Sequence, residues 1–241
     1  MNIALISGAS RGIGFEISKI LDSYKLDELW LICGVHLPVY EYRTKTKIFK
    51  FDLSSNEYMK ELENALSQEK PNIRYLVMSA GVGYNGNLES LSSDEITKTL
   101  SINCTALTNI VRLCMQYLKE DSRIINIASG SAFIPQPGFS VYAASKSYVL
   151  SLSRALSKEL KPKKIYVTAS CPGPVDTDFF SSLKDVKEYK KKYLISPEKV
   201  AKGTMKASKK KKAVFTPTFS MKLVHLISKI IPTSILLKFS K

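Results

Sequence analysis

The stretch Ile3-Ala4-Leu5-Ile6-Ser7-Gly8-Ala9-Ser10-Arg11-Gly12-Ile13-Gly14 decides the fold. A short apolar run ends in glycines at 8, 12 and 14, and a helical pattern over 12–24 follows at once. Glycine allows a tight turn and a close backbone approach, while the helix behind it aims free N–H groups at whatever sits in the turn. A strand, a glycine turn and a helix start together predict a phosphate cradle rather than a plain connection. The G-K-[ST] ending of a nucleotide triphosphate loop is absent, and the spacing is G-x-x-x-G-x-G.

Outward from this unit the same alternation continues. Strands are expected at Ile3–Ser7, Leu29–Cys33, Lys47–Phe51, Ile73–Ser79, Arg123–Ala128, Ile165–Ser170 and Ala213–Thr216. Several are apolar nearly throughout, as strands covered on both faces are. Helical patterns fall near 12–24, 55–68, 92–118, 141–160, 197–208 and 220–230. Strand–helix alternation predicts a doubly wound seven-stranded parallel sheet with helices on both faces. No repeat or Gly/Ser/Pro linker interrupts the chain, so residues 1–241 are expected to form one domain.

A second constellation lies downstream. In Tyr142-Ala143-Ala144-Ser145-Lys146 the i, i+4 spacing puts Tyr142 and Lys146 on one helix face. An isolated tyrosine is a poor acid or base at neutral pH; a neighbouring ammonium stabilises its phenolate. Thirteen residues earlier Ser129 stands at the carboxyl end of a strand, where open α/β sheets bind ligands. Alone, each has an ordinary structural explanation: a turn serine and a surface helix pair.

Composition excludes several classes. Hydrophobic residues make up 44% and charged residues 24% of 241, which excludes a disordered chain and a collagen-like fibre. Cysteines at 33, 104, 114 and 171 have no C-x-x-C spacing, and histidine occurs only at 36 and 225. A disulfide framework and a metal site are therefore not expected. No secretory signal pattern and no long uncharged apolar stretch is present, so a cytoplasmic location is expected. The outlier is a net charge of +15, and it is unevenly placed. Residues 1–183 carry a net +2, whereas 184–241 hold 16 lysines against Asp185, Glu188 and Glu198.

In combination, these residues resemble the classical short-chain dehydrogenase/reductase family. The segment Ser7–Gly14 is similar to its T-G-x-x-x-G-x-G loop, with Ser for Thr. Asp52-Leu53 resembles the adenine-contacting pair, and Ser79-Ala80-Gly81 the end of N-N-A-G, with Met78-Ser79 replacing both asparagines. Asn103, Ser129, Tyr142 and Lys146 match the family's catalytic residues, and Pro172-Gly173-Pro174-Val175-Asp176-Thr177 its P-G-x-V-x-T segment. The resemblance runs from residue 2 to about 205. It implies a Rossmann-like fold and hydride transfer between a nicotinamide and a carbonyl or alcohol carbon. Tyr142 would move the proton and Ser129 would bind the substrate oxygen. Lys146 would lower the pKa of Tyr142 and hold the ribose, and Asn103 would hold a relay water. Gly8, Ser10, Arg11, Gly12, Ile13, Gly14, Asp52, Leu53, Ala80, Gly81, Tyr142, Lys146, Pro172, Gly173, Val175 and Thr177 would bind the cofactor. A dimer or tetramer through the helices at 92–118 and 141–160 is also implied.

The second strand ends Cys33-Gly34-Val35-His36, without the acid that holds a ribose 2′-hydroxyl. NADP(H) is therefore favoured over NAD(H), with Arg11 at the 2′-phosphate and His36, Arg43 or Lys45 as possible helpers. Residues 176–195, with Phe179, Phe180, Leu183, Tyr189 and Tyr193, are expected to form a substrate lid that suits an apolar substrate. Residues 213–241 form a cationic amphipathic extension. In it Lys222, His225 and Lys229 share a stripe and apolar residues fill the rest of the helix. It would pack on the body or a partner subunit, or meet an anionic membrane or acidic protein through 184–241. Nucleic acid is not expected, since these lysines lack arginine and interleaved aromatics. The rival function is a non-catalytic cofactor-binding regulator or scaffold, which the replaced asparagines at 78–79 keep open.

Overall fold

A computed structural model describes residues 1–181, 183 and 194–239. Seven parallel strands form one sheet in the order β3-β2-β1-β4-β5-β6-β7. They are β1 Asn2–Ser7, β2 Glu28–Cys33, β3 Lys45–Lys50, β4 Asn72–Met78, β5 Arg123–Ile127, β6 Tyr166–Ser170 and β7 Val214–Phe215. The order reverses between β1 and β4, and this leaves a crevice at their carboxyl ends. β2 is buried at all six positions. Its one acid, Glu28, is satisfied by Trp30 Nε1 at 3.0 Å and Lys45 Nζ at 2.5 Å.

Helices α1 (Gly12–Asp22), α2 (Tyr58–Glu69), α3 (Ser93–Leu100), α4 (Leu107–Cys114), α5 (Ser140–Glu159) and α6 (Pro197–Lys209) surround the sheet. One apolar core packs α2, α4 and α5 against one face, through Leu62, Ile110 and Val149. The other packs α1 and α6 against the opposite face, through Ile17, Leu21 and Met205. Two helices end the described chain, α7 (Phe219–Ile230) and α8 (Thr233–Phe239).

The helical start signals work as their chemistry predicts. Ser92 and Glu95 form a reciprocal capping box at α3. Ser196 caps α6 through Lys199 N, with Pro197 in the first turn. The helix expected over 92–118 is instead broken by a π-helical segment at Ser101–Ala106, between α3 and α4. The wider turn rotates Asn103 into the interior, the use to which such segments are often put. The last strand is shorter than expected and keeps only Val214–Phe215. In the expected lid, Ser182 and 184–193, with Tyr189 and Tyr193, lie outside the described residues. The base of that segment is pinned: Val175 pairs with Ile195, and Asp176 N donates to Ile195 O at 3.0 Å.

Candidate active site

The glycine loop fits a phosphate cradle on three observations. Gly8 and Gly12 have φ of +66° and +62°, in the left-handed region that favours glycine. A Cβ on Gly14 would stand 2.2 Å from Gly8 O, and one on Gly8 would stand 2.7 Å from Ala80 N. The first turn of α1 has no side-chain cap and no acid, so its N–H groups remain available to an anion.

Ser7 closes the floor of the crevice. Its buried Oγ accepts from Ser79 N at 3.1 Å and Ala80 N at 3.2 Å, which ties the ends of β1 and β4 together. Asp52 is exposed and its carboxylate accepts from Ser54 N and Ser54 Oγ, while Leu53 beside it is buried.

The residues expected to move protons meet at the same edge of the sheet. Tyr142 and Lys146 occupy the inner face of α5, both buried, with Lys146 Nζ 5.7 Å from the Tyr142 ring centroid. Lys146 Nζ donates to Ile127 O at 3.0 Å. Ser129 follows β5, accepts from Ser131 N at 3.1 Å through its Oγ, and hydrogen-bonds the Tyr142 hydroxyl. Burial pushes Tyr142 up to about 12, partly opposed by Ser129. Burial also pulls Lys146 down to about 8. Asn103 Oδ1 accepts from Val82 N at 2.9 Å, and its Nδ2 donates to Val82 O at 2.8 Å and Ser145 Oγ at 2.9 Å.

The loop after β6 closes the crevice from above. Gly130 N donates to Pro172 O at 2.6 Å, which joins the serine turn to the Pro172-Gly173 turn. A Cβ on Gly12 would meet Thr177 Cγ2 at 3.3 Å, so Thr177 borders the glycine loop. Arg11 Nη1 pairs with Asp178 Oδ2 at 2.9 Å across the mouth, and both side chains are exposed.

A family model described as short chain dehydrogenase matches residues 2–188. The chain belongs to the classical short-chain dehydrogenase/reductase family. A probable short-chain type dehydrogenase/reductase, VdlC, of Helicobacter pylori is 31% identical over 73% of this chain and 66% of that protein, just under two thirds of its length. The 3-oxoacyl-[acyl-carrier-protein] reductase FabG of Chlamydia trachomatis is 30% identical over 76% of this chain and 77% of that protein. A short-chain dehydrogenase from Sphingobium yanoikuyae, solved with NADPH, shares the fold at a TM-score of 0.81 and 22% identity, covering 99% of this chain and 96% of that one.

Membership in this reductase family sharpens several expectations. Lys146 is expected to lower the pKa of Tyr142; burial raises it instead, and the lowering contribution comes from Ser129. The ammonium is committed to Ile127 O and is itself pulled toward neutrality by the same burial. The Asn103 side chain clamps Val82, and its Oδ1 shares the space over Gly81 with Lys146 Nζ, each 3.2 Å from where a Gly81 Cβ would stand. Lys45 is bound to Glu28, the first residue of β2, at the end of the sheet away from the crevice. Arg43 lies against Asp22, the last residue of α1, and is equally remote. Arg11 remains at the mouth, and His36 is exposed in the loop after β2.

Several positions packed around these residues escape sequence reasoning. Gly83 has no room for a side chain: a Cβ there would stand 2.4 Å from Tyr142 Cδ2. Phe139 stacks on Tyr142 with centroids 4.3 Å apart, and Phe179 lies 5.3 Å away. Met221 on α7 reaches back over the catalytic turn, where a Cβ on Gly130 would stand 2.5 Å from its Sδ. Of these, only Phe179 carries a signal, as an aromatic in the expected lid.

Proposed function

We propose that this chain is an NADP(H)-dependent reductase or dehydrogenase acting on the carbonyl or alcohol carbon of an apolar substrate. The observation that carries this reading is the meeting of Ser129, Tyr142 and Lys146 beside a glycine cradle whose helix amides are uncapped. Gly8, Gly12, Ile13 and Gly14 would hold the pyrophosphate, and Asp52-Leu53 the adenine. Ala80-Gly81, Pro172-Gly173, Val175 and Thr177 would line the nicotinamide side.

When bound, the nicotinamide supplies or accepts the hydride. Every proton movement falls to side chains. Tyr142 gives its hydroxyl proton to the carbonyl oxygen, and burial keeps that proton in place through neutral pH. The Ser129 hydroxyl donates to the same oxygen and stabilises the charge growing there. Lys146, as an ammonium, favours the phenolate that Tyr142 becomes. The oxygen gains one proton and its carbon gains one hydride.

An apolar substrate is supported by Phe139 and Phe179 against the Tyr142 ring and by Met221 over Gly130 and Gly173. A carbonyl substrate is supported by the oxoacyl reductase named among the relatives. NADP(H) is supported by the lack of an acid in Cys33-Gly34-Val35-His36 at the end of β2, by Arg11 at the mouth, and by the NADPH complex of a structural neighbour. Residues 176–195 act as the substrate cover in this reading, and the chain pairs with copies of itself through the helices at 92–118 (α3 and α4) and 141–160 (α5). The test is NADPH consumption against a panel of ketones and aldehydes, with calorimetry of NADPH and NADH binding. Reduction of an apolar ketone with tighter NADPH binding is expected. No turnover on any carbonyl, or tighter NADH binding, counts against the proposal.

A further inference from the structure

The last two helices present an apolar stripe to the outside. On α7, Phe219 is 81% exposed, Leu223 47%, Leu226 55% and Ile230 72%. Their spacing of four, three and four places them within one narrow sector of the helix. The opposite sector already has its partners. Met221 packs over Gly130 and Gly173, and His225 stacks on Phe133 with centroids 4.4 Å apart. His225 also lies 3.0 Å from Arg154 Nη2. The outward stripe is therefore not the face that docks α7 on the body. Ile235 on α8 is exposed as well.

Charge states what kind of surface fits. Lys222 and Lys229 flank the stripe and are exposed, and Lys238 is exposed on α8. No aspartate or glutamate occurs after Glu198. A second copy meeting this face symmetrically would bring lysines opposite lysines with no carboxylate between them. An anionic lipid surface satisfies both features: acyl chains take the apolar stripe, and headgroups take the ammonium groups on their flexible stems. Among the described residues no helix is long and apolar enough to cross a membrane. A helix lying in the interface plane needs no such length.

We propose that α7 and α8 form a peripheral docking surface for an anionic bilayer, with Phe219, Leu223, Leu226 and Ile230 entering the headgroup region. The inner face of the same helix borders the catalytic turn, so docking would place the substrate mouth at the lipid surface. The proposal concerns binding, independent of turnover, so it stands or falls apart from the catalytic reading.

The test is co-sedimentation of the full chain with vesicles of pure phosphatidylcholine and with vesicles carrying about 30% phosphatidylglycerol. Binding to the anionic vesicles is expected, weakened at high salt, with little binding to phosphatidylcholine. The paired variant Phe219→Asp/Ile230→Asp should bind at least tenfold more weakly. The triple variant Lys222→Glu/Lys229→Glu/Lys238→Glu should lose about a hundredfold, since each surface lysine contributes about fivefold. Either variant suffices if the other fails to fold, and circular dichroism reports on folding. General basicity of the chain predicts that Phe219→Asp/Ile230→Asp binds like the parent, and that result would overturn the proposal. Equal binding to both vesicle types, or loss of a dimer in the aspartate variant without any vesicle binding, would overturn it too.

Discussion

The crevice at β1 and β4 and the helical pair at the end of the chain use apolar surface in opposite ways. In the crevice, buried strands and helices fix a few polar groups with almost no spare volume: Gly14, Gly83 and Gly130 each have a neighbour where a Cβ would go. In the tail, one side of α7 is packed and the other displays Phe219, Leu226 and Ile230 to the outside. The first region is specified by contacts made within the chain. The second is only half specified by them. Substitutions should therefore be severe in the crevice and mild for folding in the tail.

The largest effect is expected from Gly14→Ala. The added methyl meets backbone, which cannot move aside cheaply, so cofactor binding should be lost and stability should fall by about 1–3 kcal/mol. Gly34→Ala, where nothing lies within 4 Å, should change neither, as calorimetry and thermal unfolding will show. Next is Gly83→Ala, whose Cβ would displace the Tyr142 ring. A shift of about 1 Å at a proton donor should cost about a hundredfold in kcat while the Kd for NADPH changes little. Equal losses in both quantities would mean that Gly83 serves folding rather than positioning.

A smaller effect concerns pH. Lys146 is held near 8, below the ordinary lysine value, so its charge is present below that pH and is lost above it. The kcat/KM for carbonyl reduction should be level up to about pH 8 and then fall toward tenfold per unit. A flat profile to pH 10 would contradict an ammonium role. Smaller still, Asp178→Asn frees Arg11 from an exposed ion pair worth under about 1 kcal/mol. The ratio of NADPH to NADH affinity should rise by a few fold, and an unchanged ratio would remove Arg11 from the 2′-phosphate site. On the tail, Phe219→Ala should alter the unfolding free energy by less than about 0.5 kcal/mol, since Phe219 packs little on the body.

The same contrast explains which features are legible in the sequence. The glycine turn, the Tyr142–Lys146 pair and the strand–helix alternation depend on spacing within a few residues, so a linear reading of the chain finds them. Gly83, Phe139 and Met221 matter because of neighbours brought close only by folding, and no local pattern marks them. The π segment at Ser101–Ala106 is hidden by helical periodicity on either side, which continues through a single wide turn. The tail deceives in another way. A helical wheel places His225 on a stripe with Lys222 and Lys229, but Phe133 draws the imidazole inward while the lysines stay exposed. Electrostatics is the least legible. Proximity of an ammonium suggests an acidified tyrosine, whereas burial, which no linear pattern displays, raises the Tyr142 hydroxyl against the opposing Ser129 hydrogen bond.

The central claim is that Tyr142 is the proton donor in a cofactor cradle that stands independently of it. NADPH-dependent reduction and NADPH binding, measured together for the parent chain and Tyr142→Phe, test it most directly. The account predicts a fall of at least about a thousandfold in kcat with an NADPH Kd within about threefold of the parent. Turnover within tenfold of the parent would contradict it.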